Sequence, residues 1–381
     1  MESYIMDDSV VEEQTSASEK PIVAGCGGVY MDYLATVARF PQPDEKIRSI
    51  DSKMQGGGNT GNCMTAAARL GLKPRVLSKV SNDAFGKLVI EELNGDGVDT
   101  SFMVVSDIGT TPFTYVIVDR EKNTRTCINS PGYPPLSPQE LPDGIVTKIL
   151  DGAKLLYLDG RLADTALLLA EEAKRKRIPI LIDAEPKRAG LDELLQFADY
   201  VVCSAEFPQV WTGFPTFPGA LTQIAIKLPN LKFVIVTLGA SGCVMLERMS
   251  HCLSDLELFD VNTEYELLLK RSFQATGEPT AISSEVRLFK QTASNGETVE
   301  FPGRLVIGTA EKIPPSELVD TTGAGDAFIA AVLYSLCTQM NLEKMLAFGA
   351  IVAGANCRAL GARGGLPYYH DSKLISFLDA L

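Results

Sequence analysis

The sequence predicts an α/β protein, a three-layer α/β/α sandwich around a mainly parallel sheet with a small β-lid beside it. Three observations lead there. Short apolar, β-branched runs alternate with amphipathic helical stretches, which implies parallel strands covered on both faces. Residues 112–119 and 124–129 alternate polar and apolar side chains around Glu121-Lys122-Asn123, the pattern of a hairpin standing off the main sheet. The C-terminal part is helical, over 325–339, 342–357 and 372–381.

The elements follow in order. A β-branched run at 21–25 enters Gly25-Cys26-Gly27-Gly28, and segments at 30–37 and 47–54 alternate like half-buried strands. The Ala-rich stretch 60–70 reads as a helix stopped by Gly71. Strand and helix then alternate: 75–80 with 84–94, 155–158 with 163–175, 179–183 with 191–198, and 233–237 closing the run. The lid is expected within about 30–55 and 112–129. Residues 249–300 show no clear period and mix acidic, basic and turn residues, so they are expected to be an insertion, partly disordered. Residues 1–20, acidic and polar, read as a disordered tail, leaving 21–381 as one domain.

Composition narrows the chemistry. The 381 residues carry 35 Lys and Arg against 48 Asp and Glu, a net charge of −13, which argues against nucleic-acid or anionic-membrane binding. A small anion remains possible, held by backbone N–H groups at a helix start. Only His251 and His370 are present, and neither has metal-ligand spacing or a neighbouring nucleophile motif. The eight cysteines form no CxxC pair and lie mostly in apolar runs, as in an intracellular protein. No stretch approaches the length of a membrane span, and residues 1–20 lack a signal pattern, so a cytoplasmic location is expected.

The most informative run is Asp320-Thr321-Thr322-Gly323-Ala324-Gly325-Asp326, opening a long apolar helix. Glycines at a helix start leave N–H groups open to a phosphate-sized anion. Asp326 in the same turn suits the helix dipole, as any acid there does, but it would repel that anion. A carboxylate beside an anion hole makes chemical sense as a general base for an attacking hydroxyl. Read alone, the run is equally an ordinary capped helix. The second run, Gly56-Gly57-Gly58-Asn59-Thr60-Gly61-Asn62, is either a capped flexible loop or a site where amides meet a polyol; Asp32 would add an acceptor for hydroxyls. A third, Thr237-Leu238-Gly239-Ala240-Ser241-Gly242, follows a strand, where α/β sheets bind ligands. P-loop and protein-kinase signatures are absent.

Together and in this order, the runs resemble the PfkB/ribokinase family of carbohydrate kinases over most of 21–381, the insertion excepted. Residues 320–326 resemble its C-terminal signature, and Gly57-Gly58 with Asn62 its N-terminal one. Val80-Ser81-Asn82-Asp83-Ala84-Phe85-Gly86 is similar to its V-G-x-D-x-F-G segment, with Ser81 in place of glycine. The Gly-Gly-Asn-x-x-Asn form, Asp159-Gly160-Arg161, and Phe348-Gly349 with Val352-Ala353-Gly354 and Cys357 look most like ketohexokinases.

The resemblance implies a ribokinase-like fold and ATP-dependent phosphorylation of a hydroxyl of a small sugar, a ketose or pentose. Asp326 would be the base, with the N–H groups of Gly323, Ala324 and Gly325 as the anion hole. Asp32, Gly57, Gly58, Asn59, Asn62 and Arg161 would bind the sugar. Thr237, Gly239, Gly242, Thr322, Gly323, Gly325, Ala353, Gly354 and Cys357 would hold ATP. Mg²⁺ would neutralise the phosphates, a monovalent cation is compatible with the family, and the lid would close the site and serve a homodimer. One departure concerns the metal: the family's Asn-x-x-Glu is replaced by Cys203-Ser204-Ala205-Glu206-Phe207, leaving Glu206 as the candidate, through water. Other readings are a nucleoside kinase of the same fold, with Tyr30, Phe113 and Tyr115 to stack a base, and a catalytically silent assembly partner, which has no use for an anion hole with a base. A dinucleotide-binding dehydrogenase lacks the third glycine and the later acid of its fingerprint.

Overall fold

Six parallel strands form one side of an eleven-stranded sheet in a computed structural model of the chain, in the order, from the edge inward, Lys73–Leu77, Ile22–Cys26, Ala153–Leu158, Ile180–Ala184, Tyr200–Ser204, Phe233–Thr237. The structure describes residues 19–122, 124–185, 188–249, 256–272, 277–292 and 298–379. The tail expected at 1–20 lies outside these apart from Glu19 and Lys20.

Alternation along each strand divides the core in two. Ala24, Leu156, Leu158, Ile180, Ile182, Val234 and Val236 face one hydrophobic cluster; Val23, Leu155, Tyr157, Leu181, Phe233 and Ile235 face the other. The first is closed by helices that include Ala163–Arg175 and Phe217–Lys227, the second by Asn59–Arg69, Ala84–Gly95, Ala324–Cys337 and Leu342–Asn356. Helix Ala163–Arg175 shows why these segments are helical. Ala166, Leu169, Ala170 and Ala173 recur at helical spacing and are buried, while Lys174 and Arg175 sit in the last turn against the dipole. At Ala84–Gly95, Asp83 caps the start by accepting the Gly86 N–H at 2.7 Å.

Several expected elements differ. The strand at 75–80 is divided into Lys73–Leu77 and Lys79–Ser81, and Ser78 between them donates to Gly27 O at 2.6 Å. The strand expected at 47–54 is Asp51–Gly57, and the helix expected at 191–198 is Leu191–Leu195. Of the stretch 249–300, expected to be a partly disordered insertion, residues 250–255, 273–276 and 293–297 lie outside the described residues, and the rest carries a helix and strands. Helix Val261–Ser272 buries Val261 and Leu268, and strands Arg287–Thr292 and Thr298–Gly308 extend the main sheet antiparallel from Cys243–Arg248. Phe289 and Phe301, both buried, pack at 6.2 Å between ring centroids. The apolar periodicity is short and broken by charges, which is why it is faint in the sequence.

The lid is a four-stranded sheet, Asp51–Gly57, Tyr30–Val37, Phe113–Asp119 and Thr124–Ser130. One face carries Asp32, Thr114, Val116, Arg125, Cys127 and Asn129 toward a cleft. The other face aligns Met54, Tyr33, Tyr115 and Ile128 in one row across the strands.

Candidate active site

The carboxyl ends of the parallel strands deliver the site. Ile22–Cys26 leads to Gly27-Gly28, Ala153–Leu158 to Asp159, Ile180–Ala184 to Glu185, and Phe233–Thr237 to Gly239. Asp159, fully buried, ties these loops: it accepts the Gly28 N–H at 2.7 Å, Thr60 Oγ1 at 2.9 Å and the Arg161 N–H at 3.0 Å. Between these loops and the lid lies a cleft of about 620 Å³, at the place where open α/β sheets take ligands.

Two glycine-rich turns face one another across it. Gly58 (φ 83°) precedes helix Asn59–Arg69, and a Cβ there would stand 2.5 Å from Gly28 O. Gly323 (φ 74°) precedes helix Ala324–Cys337, where a Cβ would meet Ala362 Cβ at 2.5 Å. Only glycine fits either turn. Among the described residues, the N–H groups of Gly323, Gly325 and Asp326 make no hydrogen bond within the protein, while that of Ala324 turns onto Thr321 O at 3.3 Å. Of the three N–H groups expected to be open, at Gly323, Ala324 and Gly325, that of Ala324 is thus engaged within the turn, and that of Asp326 is open beside the other two. Asp320 anchors the approach, accepting the Thr322 N–H at 2.9 Å and the Gly361 N–H at 2.9 Å.

Four acids and their partners make the floor. Asp326 Oδ2 accepts Asn62 Nδ2 at 2.8 Å. Burial, and then the like charge of Asp183, push the Asp326 carboxyl up to about 7, against the pull of the Asn62 hydrogen bond and Arg161. Burial likewise raises Asp183 to about 6. Asn59 Nδ2 stands 3.0 Å from Asp183 Oδ2 and 3.0 Å from Glu185 Oε1, and its oxygen accepts from Arg161 at 3.2 Å. Arg161 lies 3.6 Å from Glu185, which also pairs with Arg188, and 5.5 Å from the Tyr30 ring centre. Asp32 is raised to about 6 by burial, held down by Arg363 and a hydrogen bond from Thr114.

A second pocket of about 300 Å³ adjoins the cleft and shares Thr237, Gly239, Thr321, Ala324 and Gly325 with it. Gly242, Ala353, Gly354 and Cys357 line it together with apolar Ile313, Leu318 and Phe328.

Most of the residues expected from sequence are thus assembled. Asp32, Gly58, Asn59, Asn62, Arg161, Thr322 and Gly323 to Asp326 line the cleft, and Gly57 stands behind Asp32, where a Cβ would come within 2.1 Å of its Oδ2. Glu206 is exposed at the start of helix Phe207–Thr212 and does not line the cleft itself; the preceding Cys203 and Ser204 do. Of the three rings considered for base stacking, Tyr30 lines the cleft, whereas Phe113 and Tyr115 do not; Phe113 packs in T-shaped fashion with Tyr33 and Tyr115, and Tyr33 is tilted against Tyr115. Asp183, Glu185, Asn129 and Arg125 were not singled out from sequence. Arg125, on the lid, donates to Thr321 Oγ1 at 2.7 Å and so bridges the lid and the turn before helix Ala324–Cys337.

A carboxyl raised to about 7 thus stands beside N–H groups free of hydrogen bonds within the protein, with a polar cleft on one side and an apolar pocket on the other. Comparison with known proteins gives the family. Residues 23–255 and 308–368 match the pfkB family of carbohydrate kinases, and the chain belongs to it. Accordingly it is a phosphotransferase with an alcohol group as acceptor, and ATP and Mg²⁺ go with that family. It is 25% identical to a ribokinase of Mus musculus over 367 residues (94% of this chain, 96% of the relative) and 22% identical to a ketohexokinase of the same species over 355 residues (91% and 99%). Among solved structures, an Arabidopsis thaliana ribokinase complexed with ribose and ATP superposes with a TM-score of 0.65 at 20% identity (94% and 99% covered). A nucleoside kinase of Methanocaldococcus jannaschii, an archaeal member of the ribokinase family, gives 0.60 at 17% (94% and 98%). These likenesses show the fold. The family match leaves out 256–307, which carries helix Val261–Ser272 and strands that include Arg287–Thr292.

Proposed function

We propose that the chain phosphorylates a hydroxyl of a small sugar, a ketose or a pentose, with ATP as donor and Asp326 as general base. The observation that carries this is the Asn62–Asp326 pair. It joins the two glycine-rich turns at 2.8 Å and sets a carboxyl, raised to about 7, against the open N–H groups of Gly323 and Gly325. The sugar occupies the cleft, with hydroxyls shared among Asp32, Asn59, Asn62 and Asn129. Asp326 takes the proton of the attacking hydroxyl, and the N–H groups and Arg125 face the charge that develops on the transferring phosphoryl group. The apolar pocket beyond Gly239 takes the base of ATP.

Mg²⁺ fits the donor set without a dedicated cage. It keeps several waters and takes one or two carboxylates beside substrate phosphates, and Asp183 and Glu185 supply two on the cleft wall. When bound, it neutralises phosphate charge. A ketose or pentose is favoured over a nucleoside because the aromatic rings of the lid lie outside the cleft, Tyr30 alone excepted among the three residues considered for stacking. The lid's outer row supports a homodimer through that face, with Met54, Tyr115 and Ile128 about half exposed. A reducing compartment belongs to the same reading, supported by seven free cysteines among the described residues. The test is an ATP-consumption screen over ketoses, pentoses and nucleosides. Turnover with a ketose or pentose is expected; turnover confined to nucleosides would replace the substrate class.

A further inference from the structure

Arg363 belongs to neither glycine-rich motif, yet the Gly56–Asn62 turn is built around it. It lies between the helices Leu342–Asn356 and Ser372–Asp379, and its side chain is only 5% exposed. Nε donates to Asn62 Oδ1 at 3.1 Å, and one terminal nitrogen donates to Gly57 O at 3.1 Å. The other stands 3.6 Å from Glu92 Oε2, which also accepts the Gly56 N–H at 2.6 Å. Two glycines make room: a Cβ on Gly56 would fall 2.3 Å from a guanidinium nitrogen, and one on Gly61 2.5 Å from another. A cation this deeply buried is costly unless it is paired and hydrogen-bonded, so the turn, the helix Ala84–Gly95 and this arginine are fitted to one another.

The chemistry of the contact is directional. A guanidinium has donors only, whereas an asparagine amide has one oxygen and one NH₂. With Arg363 claiming the oxygen of Asn62, the NH₂ is left to face Asp326 Oδ2 at 2.8 Å. A reversed amide would set its oxygen against a carboxylate and its NH₂ against a cation. We propose that Arg363 is a positioning residue for the phosphoryl transfer: it fixes the Asn62 amide with its N–H toward Asp326, and so governs the aim and ionisation of the base.

The inference rests on the reading of Asp326 as general base. The ionisable groups around that carboxyl are Asp183 and Tyr157 from the sheet, Asp159 and Arg161 from the loop after Ala153–Leu158, and Cys63 from helix Asn59–Arg69. Among the described side chains Asn62 is its hydrogen-bond donor, and that bond favours the ionised form.

The experiment is the pH dependence of kcat for wild type, Arg363→Met, Arg363→Lys and Asp326→Asn, each with nucleotide binding measured by calorimetry. Arg363→Met frees the amide. Its acidic limb moves up by about half a pH unit or more and kcat falls about tenfold or more at pH 7, with nucleotide affinity held within about threefold. Arg363→Lys still offers a donor to Asn62 and returns the limb toward its wild-type position. An unmoved limb in Arg363→Met, with Asp326→Asn inactive, overturns the role of Arg363 and leaves the base intact; an active Asp326→Asn overturns the base itself. A measurement on the unaltered chain guards against a variant that does not fold. The ¹⁵N signals of the Asn62 amide and Arg363 Nε are followed through the titration of Asp326. Both are expected to shift with its midpoint, and an Arg363 Nε signal that does not respond overturns the coupling.

Discussion

Replacing Asp326 with asparagine removes the proposed base while leaving the turn that holds the phosphates. Asn is nearly isosteric, and its amide can still meet Asn62. Loss of a positioned base costs about 10²–10⁴ in rate, so kcat is expected to fall by that factor. Nucleotide affinity should hold or improve, because a negative charge beside the open N–H groups is gone. The structure also sets the pH dependence. With its carboxyl at about 7, Asp326 is ionised to about a tenth at pH 6 and about nine-tenths at pH 8. Wild-type kcat should therefore climb roughly tenfold over that interval, and this limb should be missing in the variant's residual activity. The assay is steady-state turnover at saturating sugar and ATP from pH 5.5 to 8.5, with calorimetry for nucleotide binding. Asp326→Asn turning over at the wild-type rate would falsify the mechanism. So would a variant whose slow residual turnover keeps the wild-type limb, since another group would then own that ionisation.

The same raised carboxyl has a stability consequence. The folded chain binds protons on Asp32, Asp183 and Asp326 more tightly than the unfolded chain, so the stability this confers is complete at low pH and is lost as pH rises through about 6 to 7. Asp326→Asn is expected to raise Tm at pH 8 by a few degrees over wild type, with the gap closing toward pH 5; an equal gap at both pH values would refute the linkage. On the lid, Tyr115→Lys with Ile128→Lys puts two charges into the outer row, and light scattering should show a monomer where wild type is a dimer, whereas a monomeric wild type would remove that surface from consideration. In the added region, Phe289→Ala should cost about 3–5 kcal/mol in denaturant unfolding, because Phe289 is fully buried against Phe301; a change under about 1 kcal/mol would mean that this part of the sheet contributes little to global stability. Arg125→Ala, which breaks the bridge from lid to Thr321, should lower kcat more than it raises KM for the sugar, and an effect on KM alone would make Arg125 a binding group only.

The parallel side of the sheet was legible because strands buried on both faces must be apolar throughout, and runs such as 155–158 and 233–237 carry little else. Helix Ala163–Arg175 was readable to the residue from its apolar period and basic last turn. The glycine turns were legible for a different reason: their backbone conformation is local, so Gly323 and Asp326 mark a tight turn with an acid in the first turn of a helix before any tertiary contact is known. What escaped was set by contacts distant in sequence. Asp183 and Glu185 end an ordinary buried strand, and only the fold brings them to Asn59. Arg363 reaches Asn62 across 301 residues, and Arg125 reaches Thr321 across 196. Glu206 stands outside the cleft lining because a buried Phe207 and Pro208, not the acid, decide which way that helix starts. The helix at 261–272 and the strand at 287–292 were faint in the sequence because few apolar residues, Val261, Leu268 and Phe289 among them, carry their contact with the core.

The central claim is transfer of a phosphoryl group from ATP to a sugar hydroxyl at Asp326. It is tested most directly by ³¹P NMR of a reaction containing the chain, Mg²⁺, ATP and a ketose or pentose that supports turnover, run beside Asp326→Asn. The account predicts a sugar-phosphate signal growing in step with ADP for wild type and none on the same timescale for the variant. ADP accompanied by inorganic phosphate rather than a sugar phosphate, or a sugar phosphate formed equally fast by Asp326→Asn, would contradict it.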